Sequence, residues 1–497
     1  MRQDGLAYDK RWFWGGLIGL IGMGVAMRLT GGVAFLLIYP LILAAFGKNR
    51  TELLLYYLLL DIAMVMSNST VIPKSGLFSI VARSVYFIVA GVMVLQTFGQ
   101  KQSKLLTPFL FLFLFLTYMA LISSVGWSPL ISYLKLVLFV TVYLGFYSVA
   151  NASAIRPRVS AQKFRAIYLA FAAFFILGSV ALIPFPALGV MNPKEFGDVS
   201  SFATGSLFRG MALHSQSLGP VVSAIGALLL ADLLFSVRKW DKLFLLLLAC
   251  TPVLIYMTGS RTAMGTYVAS LCFTTFVFMC ARGVGSKWKG RALSALFLVG
   301  AISGVALFGV PAVRDAALRF IVKYGDETSE VSMEGLMSTR QGSIDQQLET
   351  FSESPWIGNG FQVAKRFEDM EIVHINQLLS APVEKGVWLT AILEEGGIFG
   401  MILFVLFIIV SSCLLWARQA YIAWIMLVVM WVSNLGEFSM FSMTSCGGLV
   451  WSLTFIGAIM DVQRIRQQRE ARMYGYQPLQ FGYRPMMPYG MPPIQVR

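Results

Sequence analysis

The chain has 497 residues, of which 57% are hydrophobic and only 13% charged, with a mean hydropathy of +0.71. A soluble domain carries roughly 25% charged residues, so this composition excludes an ordinary soluble enzyme and points to an all-α polytopic membrane protein. The net charge of +14 would suit a nucleic-acid partner. However, the basic residues sit in short loops between apolar runs, which assigns the charge to membrane topology and leaves no nucleic acid among the expected partners.

The N-terminal apolar run from Trp12 to Met27 leads directly into another without a small-residue cleavage site, so no cleaved signal peptide is expected. The five cysteines (Cys250, Cys272, Cys280, Cys413 and Cys446) lie in or beside apolar segments. That placement suggests neither a disulfide framework nor a zinc site, and the two histidines are too few for a cluster. No cofactor is expected.

A span needs about 20 mainly apolar residues. By that measure the segments 12–27, 29–46, 51–66, 77–98, 105–124, 129–150, 166–188, 212–236, 243–258, 262–281, 292–310, 387–412, 420–437 and 444–460 are candidates. That makes about 14 spans, or 12 if two of the short ones fail to cross. The intervening basic residues test the count. With the N-terminus inside, Lys48 and Arg50, Lys101 and Lys104, Arg156 to Arg165, Arg238 to Lys242, Arg282 to Arg291, Arg418 and Arg464 to Arg472 all fall on the cytoplasmic side. The positive-inside rule requires this distribution. A miscounted span in the middle would break it, so both termini are expected in the cytoplasm.

Three segments face the other way. They are residues 189–211, the tight turn "TGSRTA" carrying Arg261, and a polar loop over 311–386. The domain organisation is therefore a helix bundle over 1–310, the outer loop over 311–386, further spans over 387–460 and a tail over 461–497. Within the loop, Pro311 opens "AVRDAALRFIVKYG", where Val313, Ala317, Phe320 and Ile321 share one face, as in an amphipathic surface helix. Further on, Ser338 with Gln341 forms a capping-box pattern, Ile344, Leu348 and Phe351 follow at helical spacing, and Pro355 stops the run. Arg340 would then lie in the first turn. The tail, rich in Tyr, Pro, Gly and Met, reads as disordered cytoplasmic sequence. Its tyrosines are either plainly solvated or open to phosphorylation.

A charge at the bilayer centre costs at least about 2.5–3.5 kcal/mol. Arg261 therefore either snorkels to headgroups or meets an anion, with Ser260, Thr262 and the following helix N-terminus adding donors. Arg209 and Arg340 lie on the same outer side, and Arg83 and Lys135 sit in the outer third of their spans. A guanidinium fork suits phosphate. Cations gathered against the positive-inside bias would match a lipid-linked diphosphate.

Candidate bases are His214 at the start of a span, His374 in the loop, and Glu384 just before the next span. Each is either a proton acceptor or a structural residue. Glu394 and Glu395 fall inside an apolar run and either act there or pair within the bundle. Asp61 is a mid-span acid whose expected partner is Arg83 or Lys135.

Three features occur in a fixed order: "GSRTA", then the loop with "STRQGSIDQQLETFSESPWIGNGF", then "LTAILEEGGIFGMILFVLF". Over roughly 205–415 this order resembles the O-antigen ligase and Wzy-type polymerase superfamily of bacterial envelopes. The shared elements are the Ser-Arg-small motif before the loop, the Arg-led loop helix, the P-x-x-G-x-G turn at Pro355, Gly358 and Gly360, and the acidic span with Gly397 and Gly400. The resemblance implies a GT-C-like helical membrane protein of the bacterial cytoplasmic (inner) membrane. Such a protein transfers glycan, without a metal, from a polyprenyl-diphosphate-linked donor to a glycan or lipid-linked acceptor hydroxyl. It also implies that Arg261 and Arg340 bind the diphosphate, with Arg209 and His214 as further substrate-binding candidates. The family's late His normally lies close to the acidic span. Here Lys385 and Gly386 fill that place and His374 lies earlier, so the general base is His374 or Glu384.

Two other classes compete with a membrane glycosyltransferase. A lipid-linked glycan flippase or polysaccharide transporter also places cations in the membrane, but usually shows internal repeats, and none is visible here. A scaffold would use the tail to dock polysaccharide assembly proteins. The topology itself is testable in intact cells. Single cysteines at Lys163 and Lys287 should resist a membrane-impermeant thiol reagent and one at Ser329 should react, whereas labelling at Lys287 would reverse the orientation.

Overall fold

A computed structural model describes residues 8–74, 76–97, 99–155, 161–190, 208–237, 240–282, 284–309, 333–363, 387–436, 439–442 and 446–473. Over these residues the chain is all-helical. The helices are α1 (Lys10–Thr30), α2 (Ile38–Gly47), α3 (Thr51–Met66), α4 (Gly76–Thr97), α5 (Thr107–Leu110), α6 (Leu112–Ser123), α7 (Pro129–Ile155), α8 (Ala161–Leu182) and α9 (Pro186–Gly189). They continue with α10 (Ser215–Asp232), α11 (Lys242–Thr258), α12 (Arg261–Cys280), α13 (Ser286–Gly309), α14 (Met333–Glu353), α15 (Trp388–Ala417), α16 (Tyr421–Ser433) and α17 (Cys446–Met473). Eight of the described helices are long and apolar enough to cross a membrane.

The apolar surface is distributed as a membrane-embedded bundle requires. Trp14, Ile18, Ile21, Val25 and Leu29 form an exposed stripe on α1, and Phe399, Ile402, Leu406 and Ile409 form another on α15. Such stripes suit lipid and not water. In contrast, α10 and α17 are buried along most of their length. Aromatic rings fill the centre: Tyr143 of α7 meets Trp451 of α17 edge-on at 4.9 Å, and Phe115 of α6 stacks on Phe441 at 5.5 Å.

Contacts between loops divide the bundle into two ends. At one end Arg165 grips Asp232 through two hydrogen bonds of 2.6 and 2.8 Å, and Tyr168 donates to the same carboxylate at 2.6 Å. Lys163 pairs with Glu52 at 3.5 Å, Arg464 with Asp461 at 2.8 Å, and Arg418 donates to the Thr107 hydroxyl at 2.5 Å. Arg466 donates to the Ala154 carbonyl at 2.8 Å. The basic members of these contacts (Lys163, Arg165, Arg418, Arg464 and Arg466) belong to the loops expected in the cytoplasm. The other end joins the remaining connections: Leu213 N–H donates to the Met66 carbonyl at 2.7 Å, Trp127 to Asn359 at 3.1 Å and Trp388 to Asn434 at 3.1 Å. From here on the second end is called the outer end.

Several expected boundaries shift. The segment 29–46 is a short 3-10 turn (Val33–Leu37) feeding α2, and 105–124 divides into α5 and α6. The last helix runs on to Met473. Loss of apolar character after 460 ends a span but not a helix, because Gln, Arg and Glu are good helix formers. The capping box at Ser338 does not form: α14 begins at Met333, which places Ser338 and Arg340 in its interior. Gln341 instead donates to Asp345 one turn on, at 3.2 Å. The proposed surface helix after Pro311 lies outside the described residues.

The most unusual backbone feature is a break in α15 at Gly397 (φ 61, ψ −164), a conformation essentially confined to glycine. The turn after α14 satisfies the groups this break frees. Ile398 N–H donates to the Pro355 carbonyl at 2.8 Å and Phe399 N–H to Trp356 at 3.2 Å, while the Glu395 carbonyl accepts from Asn359 and Gly360 N–H, both at 3.0 Å. The Tyr118 hydroxyl donates to the Gly396 carbonyl at 3.0 Å. Gly358 (φ 74) fits so tightly that a Cβ there would lie 2.5 Å from the Gly396 nitrogen, and one on Gly397 would lie 2.5 Å from the Trp356 carbonyl carbon. Gly397→Ala and Gly358→Ala should therefore each destabilise the protein by about 1–3 kcal/mol or more. Gly265→Ala, on an open helical face, should cost nothing. Thermal unfolding in detergent micelles measures all three.

Candidate functional site at the outer end

The turn between α11 and α12 forms for local reasons. Gly259 adopts φ 66 to close α11, its N–H donating to the Tyr256 carbonyl at 3.1 Å. Ser260 then caps α12, accepting from Ala263 N–H at 3.3 Å. Arg261 is consequently the first residue of α12, partly buried at the outer end. Glycines hold it between neighbouring elements. A Cβ on Gly219 of α10 would lie 2.8 Å from the Ala263 Cβ, and one on Gly436 would lie 2.5 Å from the Thr262 methyl carbon.

Beside this turn, residues 208–213 lie along the end of α3. Ser67 and Ala212 form an antiparallel bridge, and Asn68 N–H donates to the Met211 carbonyl at 2.8 Å. The Asn68 amide ties the segment further, donating to the carbonyls of Leu188 at 2.7 Å and Gly210 at 2.8 Å. Phe208 N–H donates to the Met257 carbonyl at 3.3 Å, which links this ribbon to the α11–α12 turn. The result is that Arg209, only 2% exposed, and His214 share the outer end with Arg261. The Arg209 guanidinium donates to the Thr70 hydroxyl. His214 is the N-cap residue of α10. Burial, reinforced by the charges of Lys74 and Arg209, pushes its imidazole below its ordinary value, so it stays neutral at neutral pH.

Lys74 completes the group. Its ammonium donates to the Val65 carbonyl and, at 2.7 Å, to the Ser67 carbonyl. Burial pushes its pKa down to about 7. In the sequence Lys74 stands alone in "NSTVIPKSG", with no motif around it. The available signal was the one used for Arg209: a cation on the side that the positive-inside bias leaves poor in basic residues.

The docked turn of 355–363 forms a second part of the outer end. Ser132 donates to the Phe361 carbonyl at 2.8 Å and Lys135 to the Gln362 carbonyl at 3.1 Å. Asp61 does not pair with Arg83 or Lys135 as expected. Among the described residues it forms no ion pair, lies 2% exposed and acts electrostatically on the buried Tyr86 hydroxyl. Lys135 is drawn instead to the turn. Glu394 and Glu395 are both buried immediately before the α15 break, and their main-chain carbonyls receive Asn359.

The sequence-expected residues therefore divide. Arg209, His214 and Arg261 come to the same end of adjacent elements. Arg340 lies on α14, which packs on α15 through contacts such as Thr390 with Gln347, and it is not in the first turn of that helix. His374 and Glu384 lie outside the described residues. Among the described residues no three His, Cys, Asp or Glu side chains come together. No family model and no curated protein matches the chain.

Proposed function

We propose that this protein is a metal-independent membrane glycosyltransferase of the O-antigen ligase or polysaccharide polymerase type. In this reading it transfers glycan from a polyprenyl-diphosphate donor to an acceptor sugar hydroxyl. The observation that carries the reading is the gathering of Arg209, His214 and Arg261 at the end of the bundle opposite the basic, ion-paired end. Applying the positive-inside rule to those two ends makes the outer end extracytoplasmic, with about 14 spans and both termini in the cytoplasm of a bacterial cell.

The chemistry follows from these parts. The acceptor hydroxyl loses its proton to a base as its oxygen attacks the anomeric carbon, and the bond from that carbon to the diphosphate oxygen breaks. Negative charge then grows on the departing diphosphate, which guanidinium groups stabilise best where water is excluded. Arg261, Arg209 and Arg340 take that role, and Glu384 or His374 accepts the proton. His214, held neutral, is the next candidate for the base.

One observation favours a second reading. Broken helices such as α15 occur in transporters, and a lipid-linked glycan flippase would also need an anion site. The two readings separate in a transfer assay with purified lipid-linked donor. Arg261→Lys keeps the charge but loses the bidentate fork, so transfer should fall clearly. Arg261→Ala removes a charge-assisted contact and should lower donor use roughly ten- to a hundredfold. Glu384→Gln or His374→Ala should abolish transfer with the protein still inserted. Near-normal turnover in Arg261→Lys would reduce Arg261 to an interfacial anchor, and absence of transfer by the wild type alongside donor translocation would favour the flippase.

A further inference from the structure

Lys74, Arg209 and His214 come from three separate parts of the outer end, yet they converge. Lys74 precedes α4 and folds back on α3. Arg209 belongs to the segment bonded to Asn68 and Thr70, and His214 heads α10 within the electrostatic reach of both cations. The lysine is half-buried, and it spends only two of its three donors on main-chain carbonyls. The third remains for a ligand. Two carbonyls aim the ammonium, and the Thr70 hydroxyl aims the guanidinium of Arg209, so the polar ends are held in place before any ligand arrives. Held this way, the cations favour an anion with several acceptor oxygens.

We infer that Lys74 joins Arg209 and His214 in a proton-linked binding site for a phosphoryl anion, and that binding draws a proton onto Lys74. The inference rests on the proposed transfer reaction in one respect only: it takes the anion to be the diphosphate diester of the lipid-linked donor. The titratable and charged groups around Lys74 among the described residues are few. Arg28 at the end of α1 donates to the Thr70 and Val71 carbonyls of the same loop. Arg209 and His214 approach from the ribbon and α10. Asp61, the carboxylate of α3 nearer this end, lies one helical turn before Val65 and acts on Tyr86, and Glu52 lies at the opposite end of α3 with Lys163.

The sign follows from linkage. With its free-state value near 7, Lys74 is mostly charged in mild acid and mostly neutral in mild alkali. An anion binds the charged form, so the complex takes up a proton above neutrality, and affinity falls as pH rises through the free-state value. If one ammonium controls binding, the fall between about pH 6 and about pH 8 is about tenfold.

The test uses the full-length protein in nanodiscs and, as probe, short-chain prenyl diphosphate-glucose, a diester whose own charge is constant near neutrality. Calorimetry in buffers of different ionisation enthalpy reads proton uptake directly. Expected are uptake of up to one proton by the wild type, a fall in affinity of about tenfold over that pH range, and binding without uptake by Lys74→Arg, whose charge is permanent. Lys74→Met should bind more weakly at acid pH and lose the uptake. Nanodiscs with and without phosphatidylglycerol separate the two sources of phosphoryl oxygen, and binding seen only when that lipid is absent would assign the site to a lipid headgroup and overturn the diester. PH-independent affinity with no proton uptake by the wild type would also overturn the inference. Glycan transfer from full-length donor would still stand or fall by its own assay.

Discussion

A chain that crosses a bilayer has no water with which to satisfy its backbone, so every break in a helix must be repaired from within the protein. In this molecule that constraint bites hardest at Gly397, where α15 reverses into a glycine-only conformation and frees donors and acceptors on both sides. The turn from Pro355 to Gly360 supplies the missing partners. Because the repair comes from the turn that follows α14, it anchors that turn against α6, α7 and α15. The same contacts bring Ser132 and Lys135 onto the turn. A local backbone defect thereby becomes the attachment point of α14 and the turn that follows it.

The same low dielectric governs the charges at the two ends. At the basic end the buried cations have carboxylates: Arg165 has Asp232 with Tyr168 in support, and Arg464 has Asp461. Removing one partner of such a pair leaves an uncompensated charge and costs several kcal/mol, about 3–5 in measured cases. At the outer end Arg209 and Lys74 are directed by a hydroxyl and carbonyls.

Much of the helical organisation was legible from hydropathy, because a run of apolar residues has little choice in a membrane but to be helical. The alternation of basic loops also anticipated which loops meet at each end. Arg261 was readable for a local reason, since Gly-Ser-Arg encodes a helix stop, a cap and a first turn. What escaped was long-range. The pairing of residues 66–70 with 209–213 leaves no periodicity in either segment, so neither Lys74 beside His214 nor the fixing of Arg209 could be read. The break in α15 hid inside a long apolar run, marked only by Glu394, Glu395 and the Gly396–Gly397 pair. The start of α14 was misplaced because the capping-box pattern at Ser338 suggested a helix beginning there, whereas the helix already begins at Met333.

The central claim is that the outer-end arginines receive a diphosphate. The most direct measurement is a cryo-electron microscopy map of the protein in lipid nanodiscs, saturated with a polyprenyl-diphosphate glycan. Expected is diphosphate density within about 3 Å of the Arg261 and Arg209 guanidinium nitrogens. Diphosphate density at the basic end beside Arg165 and Arg464, or bound donor away from both outer arginines, would contradict the claim.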